Sequence, residues 1–177
     1  MNITSLVILI ILTLTNIWLS WWISLRKKRY HGIFRFLSFE SIILLVFMNS
    51  PAWFRDPFVW HQWISWILLI ASLLVAIFGF FLFYHHGRPS DHMEETTQLI
   101  STGLYRYIRH PLYLSLILGG FGVMMKDPKW TQVILSIINL LAMYLTARVE
   151  ENEMIRKFGQ EYAEYMKKTK MFIPFIM

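Results

Sequence analysis

The chain has 177 residues, 56% of them hydrophobic and only 16% charged, with a formal net charge of +6 at pH 7 and a mean hydropathy of +0.46. That composition excludes an ordinary soluble domain, whose core needs far fewer apolar residues, whereas a hydrocarbon layer about 30 Å thick calls for apolar runs of roughly 20. The absence of cysteine excludes disulfides, thiolate metal sites and cysteine nucleophiles.

Residues 2–25 are uncharged throughout, too long for the apolar part of a signal peptide and without a basic start, so a retained first span is expected. Residues 36–53 read as a shorter second span carrying one acid, Glu40, which is expected to be a hydrogen-bonded structural group. Residues 59–83 read as the third. The segment 112–125 is short for a full crossing and is separated by a Lys-Asp-Pro-Lys turn from 130–147, which together suggest a helical hairpin. The apolar residues do not alternate with polar ones, which argues against a transmembrane barrel. The expected fold is therefore all-α: an integral membrane protein with about five transmembrane helices and a C-terminal amphipathic helix on the cytoplasmic face. A single membrane domain, 1–177, would comprise three spans (1–83), a cytoplasmic connection (84–111), the hairpin (112–147) and a tail (148–177).

Basic residues orient the spans. All but three of the 17 Lys and Arg residues fall after the first span, after the third, or in the tail; Arg55, Lys126 and Lys129 alone fall on the other face. Cytoplasmic segments are enriched in Lys and Arg, so the connection and the tail are expected inside and the N-terminus outside. The positive charge then reads as topology, with attraction to anionic membrane lipids, and calls for no nucleic acid.

The connection ends in the stretch 103–116, Gly-Leu-Tyr-Arg-Tyr-Ile-Arg-His-Pro-Leu-Tyr-Leu-Ser-Leu. Proline suits the first turn of a helix and restricts the residue before it, so His110 is expected at the N-cap of the fourth span. A helix N-terminus favours an anionic group. Arg109 offers a planar fork for a carboxylate, and Tyr113 projects from the same side as His110. This set reads either as a receiver for a carboxylate or as an interfacial anchor in which Arg106 and Arg109 greet lipid phosphates. In the tail, Glu150 and Glu151 follow the fifth span, where a desolvated acid needs a cation. Ile155, Phe158, Tyr162, Tyr165 and Met166 make an apolar stripe broken at Gly159. The tail reads as a surface anchor or as the acidic half of a site for a zwitterionic ligand, carboxylate at one end and positive charge at the other.

Four motifs in order, Gly103-x-Tyr105, Arg109-His110-Pro111-x-Tyr113, Glu150-Glu151-x-x-Met154 and Phe158-Gly159-x-Glu161-Tyr162-x-x-Tyr165, resemble the isoprenylcysteine carboxyl methyltransferase family and the related phospholipid methyltransferases. The resemblance covers roughly residues 95–177. It implies an integral-membrane enzyme that moves a methyl group from S-adenosylmethionine to a lipophilic or prenylated substrate entering from the bilayer. By the same resemblance, Tyr105, His110 and Tyr113 would contact the cofactor, Glu150 and Glu151 would hold its cationic end, and Arg109 would orient a carboxylate. Arg109 and Glu150 are the candidate catalytic residues. The acceptor expected first is an isoprenylcysteine-like carboxylate, and the alternative is a lipid amine, for which a glutamate or His110 would serve as base. Oligomeric state is not legible. His85, His86 and His92 fit no standard metal spacing, and methyl transfer needs no metal. A nicotinamide-dependent reductase of the sterol type is expected to be much longer, and a non-enzymatic scaffold would leave Arg109, His110, Glu150 and Glu151 without a role.

Overall fold

A computed structural model describes residues 3–24, 26, 31–87 and 99–174. Among these the elements are α1 (Ile3–Ile23), α2 (His31–Asn49), a 3₁₀ turn (Ser50–Ala52), α3 (Trp60–Gly87), a second 3₁₀ turn (Gly103–Arg106), α4 (Pro111–Met124), α5 (Trp130–Phe158) and α6 (Gln160–Lys168). Four of the helices, α1, α2, α3 and α5, are long and apolar enough to cross a membrane, and α4 is a shorter apolar helix of 14 residues. At about 1.5 Å per residue α4 is roughly 21 Å long, less than the hydrocarbon thickness. The chain is an all-helical integral membrane protein, as its composition predicts.

Two boundaries differ from expectation. The second span was expected over 36–53, but α2 starts at His31 and stops at Asn49. Arg35, a good helix former, lies within α2 and its guanidinium donates to Ser24 Oγ, while Pro51 behind Asn49 restrains Ser50 from continuing the helix. The helix of the fifth span continues beyond 147: α5 runs unbroken to Phe158, since Glu, Met, Arg and Lys are all good helix formers and no breaker comes before Gly159. Gly159 then adopts φ 57°, ψ −129°, a conformation open to glycine and costly for other residues.

The chain divides into two compact units, one of residues 1–70 and 116–146, the other of 71–115 and 147–177, so that α3, α4 and α5 each contribute to both. The first unit has an apolar core of Leu45, Val123 and Met124 with Trp53, Leu69 and Phe121 packed on it. Within it, buried amides and hydroxyls join helices. Ser38 Oγ donates to Asn139 Oδ1 at 2.6 Å and Asn139 Nδ2 to Leu116 O at 3.0 Å. Asn49 Nδ2 donates to Val123 O at 2.6 Å, and Ser65 Oγ to Gly122 O at 2.6 Å. Glu40 is hydrogen-bonded, accepting from Thr13 Oγ1 at 2.7 Å and Asn16 Nδ2 at 3.1 Å. Lys126, 1% exposed, donates to Gln62 Oε1 at 3.1 Å and sits 3.6 Å from the Trp66 ring centroid, a cation–π contact.

The second unit is built from the end of α3, the 3₁₀ turn, the start of α4, the end of α5, α6 and the tail that follows it. Gly103 has φ +58°, and a Cβ there would lie 2.5 Å from Leu82 Cδ1, so both backbone and space call for glycine. After α6 the tail runs parallel to the segment before α4: Lys170 N donates to Tyr107 O at 3.0 Å, Arg109 N to Lys170 O at 2.8 Å and His110 N to Met171 O at 3.2 Å.

Candidate functional site

The backbone of the second unit places the motif residues. Pro111 opens α4, and Leu114 N donates to His110 O at 3.0 Å, so His110 stands at the helix N-cap. Tyr113, one turn on, stacks its ring on that of His110, centroids 5.4 Å apart and planes within 5°. Glu150 and Glu151 lie in the charged continuation of α5 and reach the same place: Tyr113 Oη donates to Glu150 Oε1 at 2.7 Å, His110 Nδ1 is 3.5 Å from Glu150 Oε2 and His110 Nε2 is 3.5 Å from Glu151 Oε1. Arg109, His110, Tyr113, Glu150 and Glu151 therefore form one cluster, and Tyr105 lies beside it, buried.

The part of Arg109 differs from the sequence expectation of a fork held out to a ligand. Its Nε donates to Glu151 Oε1 at 2.6 Å and its Nη1 to Thr169 O at 2.6 Å. The guanidinium thus clasps the chain's own acid and tail. A hydrogen-bonded ion pair this short, with side chains 9% and 3% exposed, is strong where both partners stay in place and costly where one is removed.

Three participants were not singled out as site residues. Tyr165 Oη donates to Tyr105 O at 2.6 Å, Thr169 supplies the carbonyl that receives Arg109, and Tyr162 is buried against Tyr165 with ring centroids 5.8 Å apart. The two tyrosines read from sequence as part of an apolar stripe; their i, i+3 spacing was the available signal, and Thr169 offered none. The side chain of His86 and all of His92 lie outside the described residues, while His85 Nδ1 lies 3.0 Å from Phe81 O, one turn back on α3.

Electrostatics set the protonation of the cluster. Burial opposes charging of the His110 ring, but the hydrogen-bonding positions and charges of Glu150 and Glu151 outweigh it and hold the pKa above the ordinary histidine value. Burial raises the phenols of Tyr105, Tyr162 and Tyr165, so they remain protonated donors at neutral pH.

Two buried atoms of the cluster make no hydrogen bond among the described residues, His110 Nε2 and Glu151 Oε2. The exposed Arg148 brings its Nη1 to 3.9 Å from Glu151 Oε2. Buried polar atoms are ordinarily paired. A ligand with an acceptor for the imidazole and a donor for the carboxylate would satisfy both, which is the chemistry of an α-amino acid end group.

The chain is similar to proteins of known family. Residues 60–161 match the family model described as phospholipid methyltransferase. The protein-S-isoprenylcysteine O-methyltransferase of Rattus norvegicus is 31% identical over 128 residues, 64% of this chain and 43% of that protein. Its Homo sapiens counterpart is 30% identical over 128 residues, with the same two shares, 64% and 43%. The methanethiol S-methyltransferase of Pseudomonas sp. (strain GM41(2012)) is 22% identical over 141 residues, 78% of this chain and 54% of that protein. The chain spans about half the length of the curated relatives it matches.

Proposed function

The chain belongs to the phospholipid methyltransferase family, and from that premise we propose that it transfers a methyl group from S-adenosylmethionine to a lipophilic acceptor, an isoprenylcysteine-like carboxylate in the first instance. The observation that carries the reading is the buried cluster of His110 and Glu151, in which His110 Nε2 and Glu151 Oε2 have no hydrogen bond among the described residues. These two suit the carboxylate and the ammonium of the cofactor's amino acid end. When bound, the cofactor supplies an electrophilic methyl on a sulfonium, which an ionised acceptor attacks without help from a strong base.

The residues are left with alignment and exclusion of water. Glu150, steadied by the Tyr113 hydroxyl, and Glu151, steadied by Arg109, hold cationic groups. The stacked rings of His110 and Tyr113, with Tyr105, offer π faces to a cation. Arg109 acts as a positioning residue through Glu151, setting the carboxylate's orientation while tying it to Thr169 of the tail. The acceptor's lipid part would enter from the bilayer. A second reading, a thiol acceptor, is favoured by the methanethiol S-methyltransferase of Pseudomonas sp., which covers 78% of this chain. The basic residues of the connection and tail support a cytoplasmic site, so a C-terminal reporter should be found inside.

The test is a titration of the protein in detergent with S-adenosylmethionine and with a reduced nicotinamide nucleotide, followed by assay with an isoprenylcysteine analogue, a small thiol and a phospholipid amine. Saturable binding of the first alone, with methylation of the isoprenylcysteine carboxylate, is expected. Binding of only the nicotinamide nucleotide would overturn the reading, and methylation of the thiol alone would move it to the second.

A further inference from the structure

The charge of the cluster is not constant. His110 can gain or lose a proton, and its ring is buried between two carboxylates with a nitrogen 3.5 Å from each. The groups that face it are Glu150 and Glu151 from α5, Arg109 from the adjoining residue, Tyr113 from α4 and Phe172 from the tail, whose ring centroid lies 6.2 Å away. Tyr105, Tyr162 and Tyr165 share the field of these charges, and Arg148 approaches from the exposed side of Glu151. Water is kept from the ring, so a further charge placed in the cluster acts on His110 with little screening.

On the reading proposed above, donor and product differ by one positive charge. The acceptor's lone pair forms the new bond to the methyl carbon, the electrons of the broken S–CH₃ bond stay on sulfur, and a sulfonium becomes a neutral thioether. No proton moves in that step for an ionised acceptor. We infer that His110 is the group by which the site discriminates donor from product: neutral beside the sulfonium-bearing donor, and protonated beside the thioether product, taking its proton from solvent. Glu150 and Glu151 are arranged to hold the ammonium that donor and product share and one further cation beside it, either the donor's sulfonium or the imidazolium. The imidazolium therefore competes with the donor and not with the product.

The sign follows from linkage. A ligand that binds the neutral form of a group gains affinity as pH rises through that group's free-site pKa, by up to about tenfold per pH unit, and none above it. Donor affinity should rise in this way, while product affinity changes little, so product inhibition is strongest at low pH.

Calorimetric titration in two buffers of different ionisation enthalpy counts the protons exchanged on binding. With the full chain in detergent, no acceptor present and a pH of about 6.5, near the ordinary histidine value, S-adenosylmethionine should release close to one proton and S-adenosylhomocysteine close to none. His110→Gln should abolish the difference. Equal proton counts for the two ligands, or a difference that persists in His110→Gln, would overturn the inference while leaving the proposed function intact. Should the variant fail to fold, the ratio of the two Kd values in the wild-type protein decides: a ratio that does not change with pH refutes the inference. If neither ligand binds, the proposed function falls and the inference with it.

Discussion

In the unit of residues 1–70 and 116–146, buried polar groups are mostly neutral amides and hydroxyls, and nearly every one meets a carbonyl or an amide of another segment: Asn139 meets Ser38 and Leu116, Asn49 meets Val123, Gln62 meets Ala52 and Lys126. In the unit of 71–115 and 147–177 the buried groups of the cluster are charged and lie together, Arg109 and His110 both against Glu151; a buried atom without a hydrogen bond among the described residues occurs in both units, Gln132 Oε1 in the first and His110 Nε2 and Glu151 Oε2 in the second. The difference teaches how to tell scaffold from site in an apolar protein. Neutral pairs satisfy backbone groups and hold helices in register at small cost. Charges in a dry interior are tolerated where they neutralise one another, as Arg109 and Glu151 do, or where neutral acceptors and rings hold them, as Gln62 and Trp66 hold Lys126.

If that contrast is right, the largest effect should come from Glu151→Gln. The change removes the carboxylate that neutralises buried Arg109, and a broken buried pair costs about 3–5 kcal/mol. Thermal unfolding in detergent should show a marked loss together with loss of S-adenosylmethionine binding. Glu150→Gln should lose binding while unfolding near the wild-type temperature, and equal destabilisation in both variants would erase the distinction drawn between the two acids.

Arg109→Lys comes next. A lysine keeps the charge but cannot reach Glu151 and Thr169 together through a planar fork, so methyl transfer should fall tenfold to a thousandfold, about 1.4–4 kcal/mol of alignment. Arg106 is exposed in the preceding 3₁₀ turn, and Arg106→Lys should be nearly silent. Equal tolerance of both would return the cluster to the role of an interfacial anchor.

Gly159→Ala probes the backbone beneath the charged unit. Nothing lies within 4 Å of the position where the new Cβ would sit, so only the φ of +57° is strained, at about 1–3 kcal/mol. The strain should loosen α6 and the tail that holds Arg109, visible as faster amide exchange at Arg109 and Lys170. Exchange unchanged there would show that the turn does not govern the tail. The smallest effect belongs to the neutral unit: Asn139→Ala should cost about 0.6–1.7 kcal/mol of stability and leave S-adenosylmethionine affinity unchanged. A loss of affinity would mean that the two regions are not separable in this way.

Much of this molecule was legible before its fold was. Run length and hydropathy located the apolar helices, because the solvent they require is a property of the residues themselves. Pro111 announced the helix start that makes His110 an N-cap, and Gly159 announced the turn after α5, because both act through their own backbone torsions. The acids Glu150 and Glu151 stood out as charges that needed company.

What the company would be could not be read from the chain. A guanidinium satisfies a ligand carboxylate, a lipid phosphate or a protein acid equally well, and only the return of α6 and the tail beside residues 107–110 gives Arg109 to Glu151 and to the carbonyl of Thr169, 60 residues along the sequence. The same holds for Ser38 and Asn139, 101 residues apart. Helix, turn and solvent preference are set within a few residues of where they act, so composition and spacing determine them. The pairing of a buried charge or amide depends on which distant segment the packing brings within 3 Å, and that is decided by the tertiary structure alone.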